Sequence, residues 1–232
     1  MKAGDLVVRN SEFYDALWAK TYLNPPQRFN TWPMISALLP SAPMRLEIGP
    51  GLRPRLPVAG THFLDLSGPA VTRLNHGGGM AQAGQITALP YATENFDLVA
   101  AFDVIEHVED DQRVFAELIR VMKPQGVLLF SVPLHPAHWN EFDEAVGHAR
   151  RYQPAELRAL LEAHDLIVEK SAVFGMQPSN SPLIFASYRV FRGESLLRLR
   201  IIRPTTPPAH QQDFVDPRQF GQSLDPAQSL LE

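Results

Sequence analysis

Met44-Arg-Leu-Glu-Ile-Gly-Pro-Gly51 is the stretch whose reading decides the fold. Met44, Leu46 and Ile48 alternate as apolar positions and run into a glycine pair, with Glu47 two residues before the first glycine. A short buried strand ending in a tight turn fits this pattern. With no Cβ at Gly49 or Gly51, the backbone there can pass close to something bulky. In open α/β sheets, ligands bind beyond the carboxyl ends of the strands, where the strand order reverses. The turn is therefore a candidate cradle for a nucleotide-like cofactor.

Outward from the turn, Thr61-His-Phe-Leu-Asp65 is a second short apolar run ending in a carboxylate, followed by Leu66-Ser67-Gly68. An acid at the end of the second strand of such a unit can accept both hydroxyls of a ribose. Further blocks follow in order: Ala83-Gly-Gln-Ile-Thr-Ala-Leu-Pro90, Asn95-Phe-Asp-Leu-Val99, Asp103-Val-Ile-Glu-His-Val108, Arg120-Val-Met-Lys-Pro-Gln-Gly126 and Ser131-Val-Pro133. Together with Glu47-x-Gly49-x-Gly51 and Asp65 they resemble the class I S-adenosylmethionine-dependent methyltransferase superfamily, its small-molecule (type 11-like) domains in particular. The likeness covers roughly residues 44 to 175 and carries little about the substrate. It implies a Rossmann-like, doubly wound α/β fold: a mostly parallel sheet with helices on both faces, in a single domain.

Composition is compatible with that. A chain of 232 residues suffices for one well-buried domain, and 45% hydrophobic with 20% charged residues is ordinary for a globular enzyme. A formal charge of −4 and a pI near 6.1 argue against broad nucleic-acid binding, so DNA is not an expected partner. The absence of cysteine excludes disulfides, thiolate metal sites and a cysteine nucleophile. The first residues are too short and charged a run for a signal peptide, and no apolar run approaches the ~20 residues of a membrane span. A cytoplasmic protein is the expectation.

Four segments are expected along the chain. Residues 1–43 form a helical cap: apolar residues in 12–23 share a stripe, and a second helix runs from Trp32 to Leu39. Tyr14, Trp18 and Tyr22 suit a lid over the site, or equally a helix packed on the sheet by its aromatics. Residues 44–175 form the cofactor-binding core, with a helix from Gly68 to Asn75 and strands at 80–83, 96–102, 127–132 and 167–173. Helices are expected from Asp111 to Met122 and from Pro154, with the seventh strand of the family fold unplaced. Residues 176–202 form an arginine-rich amphipathic segment, read over 182–202 as a surface helix, with membrane contact as the alternative. Residues 203–232 have no apolar period and are expected to be disordered. One departure from the family pattern stands out. After Gly51 comes Leu-Arg-Pro-Arg-Leu-Pro-Val-Ala-Gly60, whose Pro54 and Pro57 preclude a regular helix; a helical turn or an ordered proline loop is expected instead.

The resemblance implies S-adenosyl-L-methionine as cofactor. Glu47, Gly49 and Gly51 would line its methionine end, Asp65 the ribose, and Leu66 the adenine. Gln85 stands where the family usually has aspartate and can still accept from the adenine amino group, with Ile86 beside it. Asp103 would face the methionine, or cap the helix that follows.

The acceptor side should lie after the fifth strand. Leu134 to Tyr152 concentrates His135, His138, Trp139, Glu141, Asp143, His148, Arg150, Arg151 and Tyr152, and a connection of such length is usually functional or disordered. His148 is the first candidate for a base and His107 the second; an Asp143–Arg151 pair would be structural. Activity would then fall on the acidic side as histidine protonates near its reference value of about 6.5. Asp103, Glu106 and His107 also resemble divalent-metal sites of some relatives, but no resident metal is expected. The activity implied is methyl transfer to oxygen or nitrogen of a small-molecule or glycan-linked acceptor. The alternatives are a metal-assisted O-methyltransferase of quinone-precursor or RNA-terminal type, and an inactive cofactor-binding partner subunit.

Overall fold

The computed structural model describes residues 3–169, 171–175 and 194–202. Its strands are β1 (Arg45–Ile48), β2 (His62–Asp65), β3 (Met80–Ala83), β4 (Phe96–Phe102), β5 (Met122–Pro133), β6 (Ile167–Val168), β7 (Ser171–Gly175) and β8 (Glu194–Ile202). The helices are α1 (Ala3–Ala19), α2 (Trp32–Leu38), α3 (Gly68–His76), α4 (Asp111–Val121), α5 (Glu141–Val146) and α6 (Pro154–Ala163). The strands form one sheet in the order β3-β2-β1-β4-β5-β8-β6, with β7 also paired to β8. From β3 to β5 all neighbours are parallel, and β8 runs antiparallel to β5, β6 and β7. The order reverses between β1 and β4, so the crevice beyond their carboxyl ends is the place where a ligand is expected.

Strand alternation assigns the two faces of the sheet. Leu46, Ile48, Val99 and Ala101 point into the larger core, which α4 and α6 cover with Val114, Phe115, Leu118, Val121, Leu157 and Leu161. Leu98, Ala100 and Phe102 point the other way, onto Ile35 of α2 and Leu56. Glu47 pairs in register with Ala100, so its carboxylate is buried on that second face. No helix follows Gly51 to cover it. Residues 52–60 form an ordered loop of turns and bends, as the prolines require.

Other expectations are corrected. The reading of 182–202 as a surface helix fails at its end, because 194–202 form β8, hydrogen-bonded between β5 and the β6/β7 edge. The run Glu-Ser-Leu-Leu-Arg-Leu-Arg-Ile-Ile carries too few turns of helix to make its period decisive, and pairing with β5 settled the conformation. β8 is thus the strand left unplaced; 182–193 and the tail 203–232 lie outside the described residues. The strand expected at 167–173 is two pieces, β6 and β7. The first helix begins at Ala3 rather than near residue 12, and β5 begins at Met122, with an irregular register before Leu98. Among the described residues, no helix is long and apolar enough to cross a membrane.

Candidate active site

Both glycines of the turn have backbone conformations that side chains resist. Gly49 has φ +62°, and a Cβ there would lie 2.5 Å from Cγ2 of Val104, across the β1–β4 crevice. Gly51 has φ +54°, and its Cβ would lie 2.2 Å from the Trp18 ring. The aromatic face of α1 therefore lies directly on the turn. Trp18 stacks with Tyr14 at 6.2 Å, while Tyr22 is 86% exposed, so the expected aromatic trio divides and only two members face the site. α1 is fastened at both ends of the crevice: Arg73 donates to the Ala19 carbonyl, Arg9 to the Glu144 carbonyl and Asn10 to that of Gly147.

Asp65 ends β2 with its carboxylate buried, accepting the Gly51 and Ser67 amides at 2.8 Å each. Burial raises its pKa to about 6, although those amides pull the other way. Leu66 is half-buried after β2; Gln85, after β3, is exposed and Ile86 buried, with the Gly84 amide tied to the Asp65 carbonyl. Glu47, expected at the methionine end, has a structural task as well: its oxygens accept the Arg55 amide at 2.8 and 3.1 Å and the Leu56 amide at 2.9 Å, which anchors the proline loop. Burial pushes its pKa up to about 7. The cause is the alternation of β1, which turns Glu47 away from the turn that its neighbours lead into.

Asp103, just past β4, is exposed and has φ +54°, an uncommon conformation for a residue with a side chain. It accepts from Ser131 Oγ at 2.7 Å, and the helical turn at 105–107 has no side-chain cap, so the capping alternative is not realised.

The acceptor-side histidines, separated by 41 positions in the chain, meet with ring centroids 4.7 Å apart. Two backbone ties cause this: the Ala149 amide donates to the Glu106 carbonyl at 2.7 Å, and His107 Nδ1 donates to the Gly147 carbonyl at 3.1 Å. That bond leaves His107 Nε2 as an acceptor, 3.3 Å from the Tyr14 hydroxyl. Burial, then the neighbouring His148, lowers the His107 pKa to about 3, so its ring is neutral at working pH. His148 Nδ1 donates to Asp143 Oδ1 at 2.7 Å, which turns the unprotonated Nε2 toward Glu106, 3.9 Å away. Burial lowers the His148 pKa and Asp143 partly offsets this. Asp143 is itself completely buried. It accepts two bonds from Arg151 at 2.8 Å each and closes a capping box with Asn140 at the start of α5. Burial works against its charge, but Arg151 and His148 hold its carboxyl below the usual range.

Glu106 completes the cluster. It is 1% exposed, its Oε2 has no hydrogen-bond partner among the described residues, and burial next to Asp103 and Asp143 raises its pKa well above the usual carboxylate value. Glu106, His107 and His148 offer three ligand atoms within 4.8 Å of one another, a set that could hold a metal ion. Sequence reading likened Asp103, Glu106 and His107 to divalent-metal sites while expecting no resident metal; the ligand atoms that lie together belong to Glu106, His107 and His148. It also missed the hydrogen bond from His148 to Asp143. Their spacing of five, with Gly147 between, was the available signal: Gly147 takes φ +77° and turns the chain back after α5.

A sheet reversing at a bare glycine turn, with an acid ending β2 and a buried polar cluster beyond β4 and β5, is the architecture of an open α/β ligand-binding fold. Over part of its length the chain is similar to the class I S-adenosylmethionine-dependent methyltransferase superfamily. The methyltransferase domain family model matches residues 52–130. A Mycolicibacterium smegmatis protein described as a probable S-adenosylmethionine-dependent methyltransferase is 35% identical over 88 residues, 37% of this chain and 34% of that one. The uncharacterized protein YafE of Escherichia coli is 27% identical over 135 residues, 55% of this chain and 63% of its own length. The chain thus spans less than two thirds of either curated relative. In fold it is similar to an S-adenosylmethionine-dependent methyltransferase from Mesorhizobium loti, with TM-score 0.55 and 18% identity over 77% of this chain and all of that one. S-adenosylmethionine is the cofactor of this superfamily. The buried carboxylate of Asp65 at the end of β2 and the left-handed backbone of both turn glycines are compatible with it.

Proposed function

We propose that the protein transfers a methyl group from S-adenosylmethionine to an oxygen or nitrogen of a small-molecule or glycan-linked acceptor. The observation carrying this reading is the Asp143–His148 hydrogen bond, which fixes one tautomer and leaves Nε2 unprotonated, on the side of Glu106. When bound, the cofactor supplies a methyl carbon on a sulfonium, ready for in-line displacement. The acceptor's O–H or N–H would lie against His148, which takes the proton as the new bond to carbon forms and the bond to sulfur breaks. Asp143 then stabilises the resulting imidazolium, while His107 and Tyr14 supply orienting hydrogen bonds. α1 covers the crevice and excludes water, which aligned transfer needs. The formal charge of −4 counts against an RNA acceptor.

Titration calorimetry with S-adenosylhomocysteine, followed by a labelled-methyl assay over hydroxylated, amine and sugar-nucleotide acceptors, tests this. Binding together with labelled product supports it. Binding with no transfer to any acceptor points to the inactive partner subunit, and no binding overturns the cofactor assignment.

Asp65 is assigned to the ribose hydroxyls. Asp65→Ala should weaken binding of S-adenosylhomocysteine by about 1.5–3 kcal/mol, the scale of hydrogen bonds to a charged group. Since protonation removes an acceptor and the pKa is about 6, binding by the parent should also weaken as pH falls through 6. An unchanged affinity in a folded variant removes Asp65 from the site.

A second reading is favoured by the partnerless Oε2 of Glu106: a divalent cation held by Glu106, His107 and His148. Both imidazoles have Nδ1 committed to a carbonyl or carboxylate, the usual arrangement of metal-bound histidine. Dialysis against a chelator separates the readings. Activity unchanged by the chelator is expected for the base mechanism; activity lost and restored by magnesium or zinc assigns the cluster to a metal.

A further inference from the structure

Leu52-Arg53-Pro54-Arg55 occupies the place where the resemblance expects a helix to begin. A helix start would offer free N–H groups and partial positive charge to an anion. Here the Arg55 and Leu56 amides are instead taken by Glu47, which adds an acid where the positive end is missing. The same loop carries cations that the proposed chemistry does not use. The Arg55 guanidinium lies 3.9 Å from the centre of the Phe29 ring and 5.8 Å from that of Phe102, and Arg53 lies 5.6 Å from the same Phe29. One aromatic ring thus holds both guanidinium groups beside the crevice.

Among the described residues neither arginine is ion-paired, and neither guanidinium donates a hydrogen bond to a protein acceptor. Burial weakens the protonated form of each, and Arg55 further weakens that of Arg53; Asp103 acts in the opposite sense on both. Two like charges, partly stripped of water, therefore sit together near one exposed carboxylate. Desolvated cations without a counterion are costly, and an arriving anion relieves that cost. Glu47 also acts on Arg55, but its carboxylate is buried on the Arg55 and Leu56 amides, so two positive groups and the one exposed carboxylate, Asp103, are left to match the carboxylate and ammonium of an amino acid.

We propose that Arg53 and Arg55 clamp the carboxylate of the cofactor's methionine end, with Asp103 facing its ammonium group. The proposal rests on the cofactor reading above, and it gives the proline loop the role of the missing helix start. Planar guanidinium forks suit a carboxylate better than a single ammonium does.

The test compares two ligands that share the thioadenosine portion: S-adenosylhomocysteine, which has the amino-acid end, and 5′-methylthioadenosine, which lacks it. Arg53→Gln and Arg55→Gln should each weaken S-adenosylhomocysteine by about tenfold or more while leaving methylthioadenosine within about twofold. Arg55→Lys, which keeps the charge and much of the packing on Phe29, should lose less than Arg55→Gln. If Arg55→Gln fails to fold, Arg53→Gln and Arg55→Lys carry the comparison. Equal loss for both ligands overturns the clamp, since the arginines would then act through the fold. Unchanged affinity for both also overturns it and leaves the arginine pair to an anionic acceptor. A parent protein that binds neither ligand overturns the cofactor reading itself.

Discussion

His148→Ala is expected to lower methyl-transfer turnover by about 10²-fold or more, with S-adenosylhomocysteine affinity nearly unchanged, because a positioned base is worth about that much. The effect should be concentrated in one side chain because Asp143 has fixed which nitrogen carries the proton, so only Nε2 of His148 is left to accept another. His148→Gln fills much of the space without titrating and should be equally slow. Asp143→Ala is a poor substitute for this experiment. It would leave Arg151 buried without its partner, a change that costs roughly 3–5 kcal/mol in stability. The pH profile adds an independent readout. Neutral imidazole is the active form, and burial lowers the pKa of His148, so the acidic limb should fall below histidine's reference value of about 6.5. Sequence reasoning placed that limb near 6.5, since it could not know how deeply the ring is buried or that His107, Glu106, Asp143 and Arg151 surround it. Turnover of the parent kind in His148→Ala, or a limb well above 6.5, removes His148 from the chemistry.

The parts legible in the sequence were those fixed by short-range rules. Phe96–Phe102 reads as a doubly buried strand, and it is one; Gly68 and Pro154 open helices where capping and proline preferences put them. The glycine turn and Asp65 were legible for the same reason, since backbone conformation and strand-end position are local properties. Glu47 was not. Its side chain follows from period-two alternation, which was visible, but its use depends on a loop of orphan amides on the far face of the sheet. β8 was not legible either, because its conformation comes from pairing with β5, more than sixty positions earlier in the chain. The acceptor cluster was half legible. His107 and His148 could be named by chemistry, but their contact comes from two backbone hydrogen bonds between 106–107 and 147–149. Likewise the partnerless oxygen of Glu106 and the arginine pair on Phe29 exist only once distant segments pack.

Gly49→Val should abolish S-adenosylhomocysteine binding, whereas Gly51→Ala should weaken it less completely. At φ +62° a side chain pays about 1–2 kcal/mol for the left-handed conformation, and a β-branched one pays more. The new Cβ would also stand 2.5 Å from Cγ2 and 3.2 Å from Cγ1 of Val104, and overpacking of that kind costs typically 1–3 kcal/mol. The sum is a sizeable part of an ordinary domain stability of about 5–15 kcal/mol, so the variant should fold with a lowered melting temperature. Binding suffers more than folding, because relief requires β1 and Val104 to part and that movement reshapes the crevice beyond both strands. Gly51→Ala has a similar conformational cost at φ +54°, but its neighbour is the Trp18 ring, with atoms at 2.2, 2.3 and 2.6 Å. Trp18 belongs to α1, outside the sheet, and can be displaced without separating strands. Its movement should change the tryptophan fluorescence of Gly51→Ala and leave that of Gly49→Val closer to the parent. Adding Trp18→Ala to Gly51→Ala should then recover part of the lost affinity, since the space returns while the backbone cost remains. Parent-like binding by Gly49→Val would reduce the glycine turn to the end of a strand and would take the cofactor assignment away from this crevice.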